Sequence, residues 1–162
     1  MRRMAPQTPY SADLGERDPI EAIRDTLASF GELSRWSDPD FERSYAAGKW
    51  SAREVLVHLA QMEFAFGTRA RLALTTPNYT AQSFDQDRWM ARESTLGGRD
   101  ALAALLGAGT MNAQLFGSLS PADRQTSFTH PEYGAISIDW LIHQTAGHQI
   151  HHLRQLESIG RR

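Results

Sequence analysis

The sequence contains six histidines and no cysteine. Any site for a soft divalent metal must therefore be built from imidazole nitrogens, and thiolate ligands, disulfides and a cysteine nucleophile are excluded together. Half of the histidines fall between His148 and His152. Residues four apart on an α-helix sit about one turn apart on the same face, so His148 and His152 can converge on one ion. His58, in a different segment, lies beside an apolar stripe, where a neutral imidazole needs a hydrogen-bond partner and a charged one is costly. A metal ion satisfies it; so does a hydrogen bond within a packed core. H-x-x-x-H pairs also occur on partly exposed helical faces that bind nothing, and spacing alone does not make the two segments neighbours. Three imidazoles leave coordination positions open to water or substrate, an arrangement suited to chemistry. His151 points about 100° away from His152 around the helix and reads as a residue beside the ligands or at the rim. His143 reads as packed or solvated, and His130 lies in a loop that could overhang the site.

The elements that must position these residues are legible from caps and periodicity. Residues 1–17 carry Pro6 and Pro9 and no periodicity, and read as an irregular arm ahead of a single domain over 18–162. Asp18-Pro19-Ile20-Glu21 places a capping carboxylate, a proline at the first helical position and a glutamate three residues after the cap. Ile20, Ile23, Leu27, Phe30 and Leu33 continue as one stripe to about Trp36, where Asp38-Pro39 is expected to stop the helix. Ser51-Ala52-Arg53-Glu54 repeats the capping pattern and opens a second helix to about Leu74, with Val55, Leu59, Met62 and Phe66 facing the core and His58 on the same side. The segment 78–98 reads as a crossover with a short helix near Arg88 to Ser94. A third helix opens at Asp100 and reaches about Ser118 despite Gly107 and Gly109. Ser120-Pro121-Ala122-Asp123 caps a turn, His130-Pro131-Glu132-Tyr133-Gly134 reads as a loop, and Ser137 caps a last helix that Gly160 ends. No strand pattern is evident. The fold class is therefore all-α, a four-helix bundle with one long crossover connection.

Composition narrows the partners. The chain has 162 residues, 41% of them apolar, enough for one sizeable core and too short for two ordinary domains. A net charge of -2 with no block of like charges argues against nucleic acid and anionic membranes. Met1-Arg2-Arg3 leads into no apolar stretch that could serve as a secretion signal, and no run approaches the roughly 20 apolar residues of a membrane span. The expectation is a soluble, cytoplasmic protein with a small-molecule substrate.

Gly48-Lys49-Trp50-Ser51, then Glu54-Val55-Leu56-Val57-His58-Leu59, then Phe84-Asp85-Gln86-Asp87, then Ala146-Gly147-His148-Gln149-Ile150-His151-His152-Leu153 together resemble, in order, the pattern of the DinB/YfiT-like family. The resemblance covers nearly the whole chain from Asp18 to Ile159. It implies a four-helix bundle, a three-histidine site formed by His58, His148 and His152, and zinc or nickel as the metal. It also implies a homodimer and an activity that is either a metal-dependent hydrolase or a thiol-dependent S-transferase or isomerase.

A divalent ion on three histidines can lower the pKa of water toward about 7 or stabilise the thiolate of a small thiol. Because the chain has no cysteine, that thiol would be a low-molecular-weight cofactor. For a general base the candidates are Asp85 and Asp87 in the crossover and Glu54, one turn before His58; each also reads as a solvated or capping carboxylate. Arg69, Arg71 and Arg88 could hold an anionic group, and Trp50, Trp89 and Tyr133 could wall a pocket. Two non-enzymatic readings stand beside the enzyme: a metal-binding stress-response module without catalysis, and a structural helical dimer in which the histidines are incidental.

Overall fold

The structure, a computed structural model, describes residues 5–160; Met1-Arg2-Arg3 lies outside these. Four long helices form the bundle. The first is α2 (Pro19–Gly31), which follows a single helical turn, α1 (Ser11–Leu14), inside the arm expected to be irregular. Asp18 caps α2 by accepting from the Ile20 and Glu21 amides, both at 2.9 Å. The helix then tightens into a 3-10 turn over Glu32–Arg35, so Leu33 stays buried on the same stripe. Asp38-Pro39 does more than stop it. Ser37 and Asp40 form a capping box, and α3 (Asp38–Phe41) begins at once. Proline lacks the N–H that a first turn leaves unused, so the dipeptide that ends one helix can open the next.

The second long helix, α4 (Ala52–Thr75), starts with the expected capping box: Ser51 Oγ accepts from the Glu54 amide at 3.2 Å, and Glu54 Oε2 accepts from the Ser51 amide at 2.8 Å. The crossover carries α5 (Gln86–Arg92), two residues earlier than expected because Asp85 accepts from the Arg88 amide and caps it. The third long helix, α6 (Gly98–Ser118), tolerates Gly109 for a packing reason: a Cβ there would lie 2.6 Å from Leu27 Cδ2 on α2. After α7 (Pro121–Arg124) the chain departs from the all-helical expectation. Strands β1 (Ser127–His130) and β2 (Gly134–Ser137) form an antiparallel hairpin in the register Phe128↔Ile136. Four residues per strand is too short for alternation to register in the sequence, and the hairpin is held by burial of Phe128 and Ile136. The crossover also pairs with it, since the Thr129 amide donates to Tyr79 O at 3.0 Å and the Ala81 amide to Thr129 O at 2.9 Å. The last helix, α8 (Ile138–Gly160), opens with the Trp140 amide donating to Ser137 Oγ.

Each of α4 and α8 packs on the other, α4 also packs on α6, and α2 closes the ring against both α6 and α8. The apolar core divides into two clusters, one around Ile23, Phe66, Phe116 and Leu141, the other around Phe30, Leu56, Leu59, Leu105 and Leu156. Between them lies a polar layer with one residue from each long helix. Glu63 accepts from Asn112 Nδ2 at 2.8 Å and from Gln149 Nε2 at 2.5 Å, and the Thr26 hydroxyl donates to Gln149 Oε1. No helix among the described residues is long and apolar enough to cross a membrane.

Candidate metal centre

His58 on α4 and His148 and His152 on α8 project from facing sides of two adjacent helices. All three side chains are buried, with 3%, 4% and 6% of their surface exposed. Their Nε2 atoms converge: His58 to His148 is 2.9 Å and His148 to His152 is 3.1 Å. Hydrogen bonding among the rings does not account for this, because His148 Nε2 carries either one proton or one lone pair and so can properly bond only one of its two neighbours at a time. The outer nitrogens sharpen the point. His152 Nδ1 lies 2.7 Å from Gln155 Oε1, which can only accept, so the proton sits on Nδ1 and the Nε2 lone pair faces the cluster. His58 Nδ1 is buried with no partner, as is Oε1 of Gln61 one turn further along α4.

Electrostatics favour neutral rings. Burial, helped by the charge of His152, holds His58 down to about 3. His152 is held at about 4, chiefly by burial and against the raising effect of Gln155. His148 lies well below the ordinary histidine value, again by burial first. Lone pairs are thus available throughout the neutral range. The donor set fits a divalent ion: zinc–imidazole bonds of about 2.0–2.1 Å in tetrahedral geometry set nitrogens roughly 3.3 Å apart, a few tenths of an ångström more than here. Imidazole suits zinc and nickel alike.

The cluster opens on one side into a pocket of about 670 Å³, within the range for small-molecule sites. Trp50 flanks it, 5.1 Å from His58 and stacked at 6.4 Å on His152 by ring centroids. Tyr10 closes another side against His148 at 5.1 Å. It comes from the N-terminal arm, and its close approach depends on Gly147, where a Cβ would lie 2.5 Å from the Tyr10 carbonyl oxygen. Nothing local in the arm marked Tyr10; Gln155 could have been found, since it lies three residues from His152 on the same helical face.

The structure sorts the other candidates. His151 turns away to Asp13, 3.5 Å from its carboxylate, while resting on Tyr10. His143 bonds the Asp139 carbonyl. His130 ends β1, and it lines the pocket together with Tyr133 and the buried Arg69. The three proposed bases are elsewhere: Glu54 is engaged in its capping box, Asp85 caps α5, and Asp87 is exposed; none of them lines the pocket, whereas Glu132 does. Arg71 donates to Asn112 and Gly67, Arg88 is an exposed partner of Asp85, and Trp89 stacks on Phe84 at 4.3 Å.

Comparison with known proteins agrees with this architecture. The family model of the DinB superfamily matches residues 20–156. A protein of Oceanobacillus iheyensis named "putative metal-dependent hydrolase" is 31% identical over 127 residues, covering 78% of this chain and 74% of its own. A protein of Bacillus mycoides with the same name is 29% identical over 73% of this chain and 69% of its own. Among solved structures, YfiT from Bacillus subtilis, described as "a probable metal-dependent hydrolase with an unusual four-helix bundle topology", superposes with a TM-score of 0.79 at 20% identity over 99% of this chain and 92% of its own. A mycothiol-dependent maleylpyruvate isomerase superposes with a TM-score of 0.72 at 15% identity, over 93% of this chain and 63% of its own.

Proposed function

The chain belongs to the DinB superfamily, and from that premise we propose that it is a metal-dependent hydrolase of a small molecule, built on His58, His148 and His152. The observation that carries the reading is the convergence of three buried, neutral Nε2 atoms at the wall of an open pocket. A divalent ion bound there, zinc or nickel, supplies Lewis acidity and lowers the pKa of a water or thiol that reaches its open side. The chain's own residues do the rest. Gln155 orients His152, Trp50 and Tyr10 exclude bulk water from two flanks, and Glu132, the pocket carboxylate among the described residues, lies beside His130 at the other end of the pocket. The homodimer belongs to the same proposal; a monomer mass by light scattering at micromolar concentration would remove it.

One observation favours a second reading, a thiol S-transferase using a low-molecular-weight thiol. Among the described residues no aspartate or glutamate joins the three-histidine cluster, and a thiol activated by a metal needs no neighbouring base. The mycothiol-dependent neighbour is consistent with that alternative. Tag-free protein should contain about one ion per chain and turn over ester, amide or lactone substrates, with activity abolished by chelation and restored by zinc or nickel. Turnover only when thiol is added would favour the second reading. A metal-loaded protein inert in both panels would leave a non-catalytic binding module.

A further inference from the structure

We infer that Arg69 and His130 form a carboxylate subsite at the end of the pocket remote from the three histidines, so that the ligand of this site is an elongated small molecule with an anionic end and an apolar middle. The inference rests on the reading that this pocket serves the histidine centre. Arg69 is only 7% exposed, and no carboxylate among the described residues pairs with it. A buried charge of this kind is costly without a counter-charge. Its Nη2 donates to the Gln82 carbonyl at 3.0 Å, while Nη1 approaches His130 Nε2 at 3.1 Å.

The Arg69–His130 contact is not a donor–acceptor pair. His130 Nδ1 receives the amide N–H groups of Glu132 at 3.1 Å and Tyr133 at 3.3 Å. Only a lone pair can accept these, and a neutral imidazole has one lone-pair nitrogen, so the ring proton sits on Nε2. That N–H and the guanidinium N–H then lie side by side, two buried donors without an acceptor of their own. A carboxylate oxygen accepts from both and supplies the missing charge, in the planar geometry a guanidinium favours. The donor pair is held in place: Arg69 sits over the Phe84 ring at 5.4 Å, and Phe84 is stacked on Trp89.

The position relative to the histidines gives the ligand's shape. Arg69 follows His58 by eleven residues, about three turns, on nearly the same face of α4 and about 16 Å along its axis. Met62 and Phe66 lie between them on that face and line the same pocket. Gln144 Oε1, buried without a partner, belongs to the same lining and offers an acceptor to a hydroxyl or amide of the ligand's middle.

The test is calorimetric titration of tag-free, full-length protein with hexanoate and with hexanamide, with metal content measured on the same samples. Hexanoate should bind at least about tenfold more tightly than hexanamide, as expected for charge-assisted hydrogen bonds. In Arg69→Met the preference should fall to within about twofold with metal content unchanged. In His58→Ala, which lacks a metal ligand, it should persist. His130→Phe, which keeps a ring but no N–H, should lose the preference in part and serves if Arg69→Met does not fold. Undetectable hexanoate binding overturns the subsite. So does a preference that survives Arg69→Met but disappears in His58→Ala, because the carboxylate would then be seated on the ion. Metal content decides the functional reading separately: metal-free protein with an intact hexanoate preference would retain the subsite and reject the metal centre.

Discussion

Two buried polar groups of the bundle, neighbours at Gln149 and His148 on α8 and at Glu63 and His58 on α4, have opposite characters. In the layer formed by Thr26, Glu63, Asn112 and Gln149, each member has a hydrogen-bond partner within the layer, and each comes from a different helix. At His58, His148 and His152, three like nitrogens face one another, an outer nitrogen is left without a partner, and one side opens to a pocket. A satisfied polar layer specifies how four helices register, because any slip leaves a buried donor or acceptor unpaired. An unsatisfied cluster of lone pairs is instead a demand for a cation. The core therefore holds its structural polarity and its chemical polarity in separate places, and each can be removed without the other.

The largest effect should come from the ligands. Replacing His58, His148 or His152 by alanine should lower metal occupancy at least tenfold by elemental analysis, and the metal-dependent rise in melting temperature should disappear with it. An ion at about 100 times its dissociation constant stabilises the fold by about 2.7 kcal/mol, which is the difference to look for between loaded and chelated wild-type protein. Occupancy undiminished in all three variants would end the metal reading.

Glu63→Ala should do the reverse, costing about 3 kcal/mol in urea denaturation while leaving occupancy intact, because it strands the Asn112 and Gln149 donors and opens a void. Glu63→Gln separates charge from shape. Burial raises the Glu63 carboxyl above the ordinary range, against the lowering effect of its bonds to Asn112 and Gln149. A raised folded-state value means that its contribution is fully present below the unfolded value and is lost as pH rises through the folded one. Wild type should therefore lose stability relative to Glu63→Gln as pH rises above the ordinary glutamate range; a gap that does not change with pH would contradict the buried, raised carboxyl.

Gln155→Leu joins the two regions' logic, since it removes the acceptor that fixes His152, and it should weaken metal affinity about tenfold with little loss of fold stability. Ser51→Ala should cost about 1 kcal/mol by removing the cap of α4, with metal retained. His151→Ala should have the smallest effect, keeping most of the metal because its ring faces Asp13. Emptying of the site in this variant while His152→Ala stayed loaded would shift the ligand assignment by one residue.

Much of this molecule is written locally. Caps at Asp18, Ser51 and Ser137 place three helix starts within a residue, because capping depends on side chains reaching amides two or three positions away. The H-x-x-x-H spacing likewise placed His148 and His152 on one face. The same local rules misread Asp38-Pro39, which opens a helix as readily as it ends one, and missed the hairpin, whose short strands are stabilised by contacts with the crossover and the core. Tertiary packing alone made α4 and α8 neighbours, brought Tyr10 from the arm onto His148, and set Arg69 against His130. Those outcomes depend on residues up to 138 positions apart in the chain, as Tyr10 is from His148. Periodicity and capping extend over a few residues of one helix; which helices then meet is decided by burial of the whole set of apolar faces and by pairing of every buried polar group.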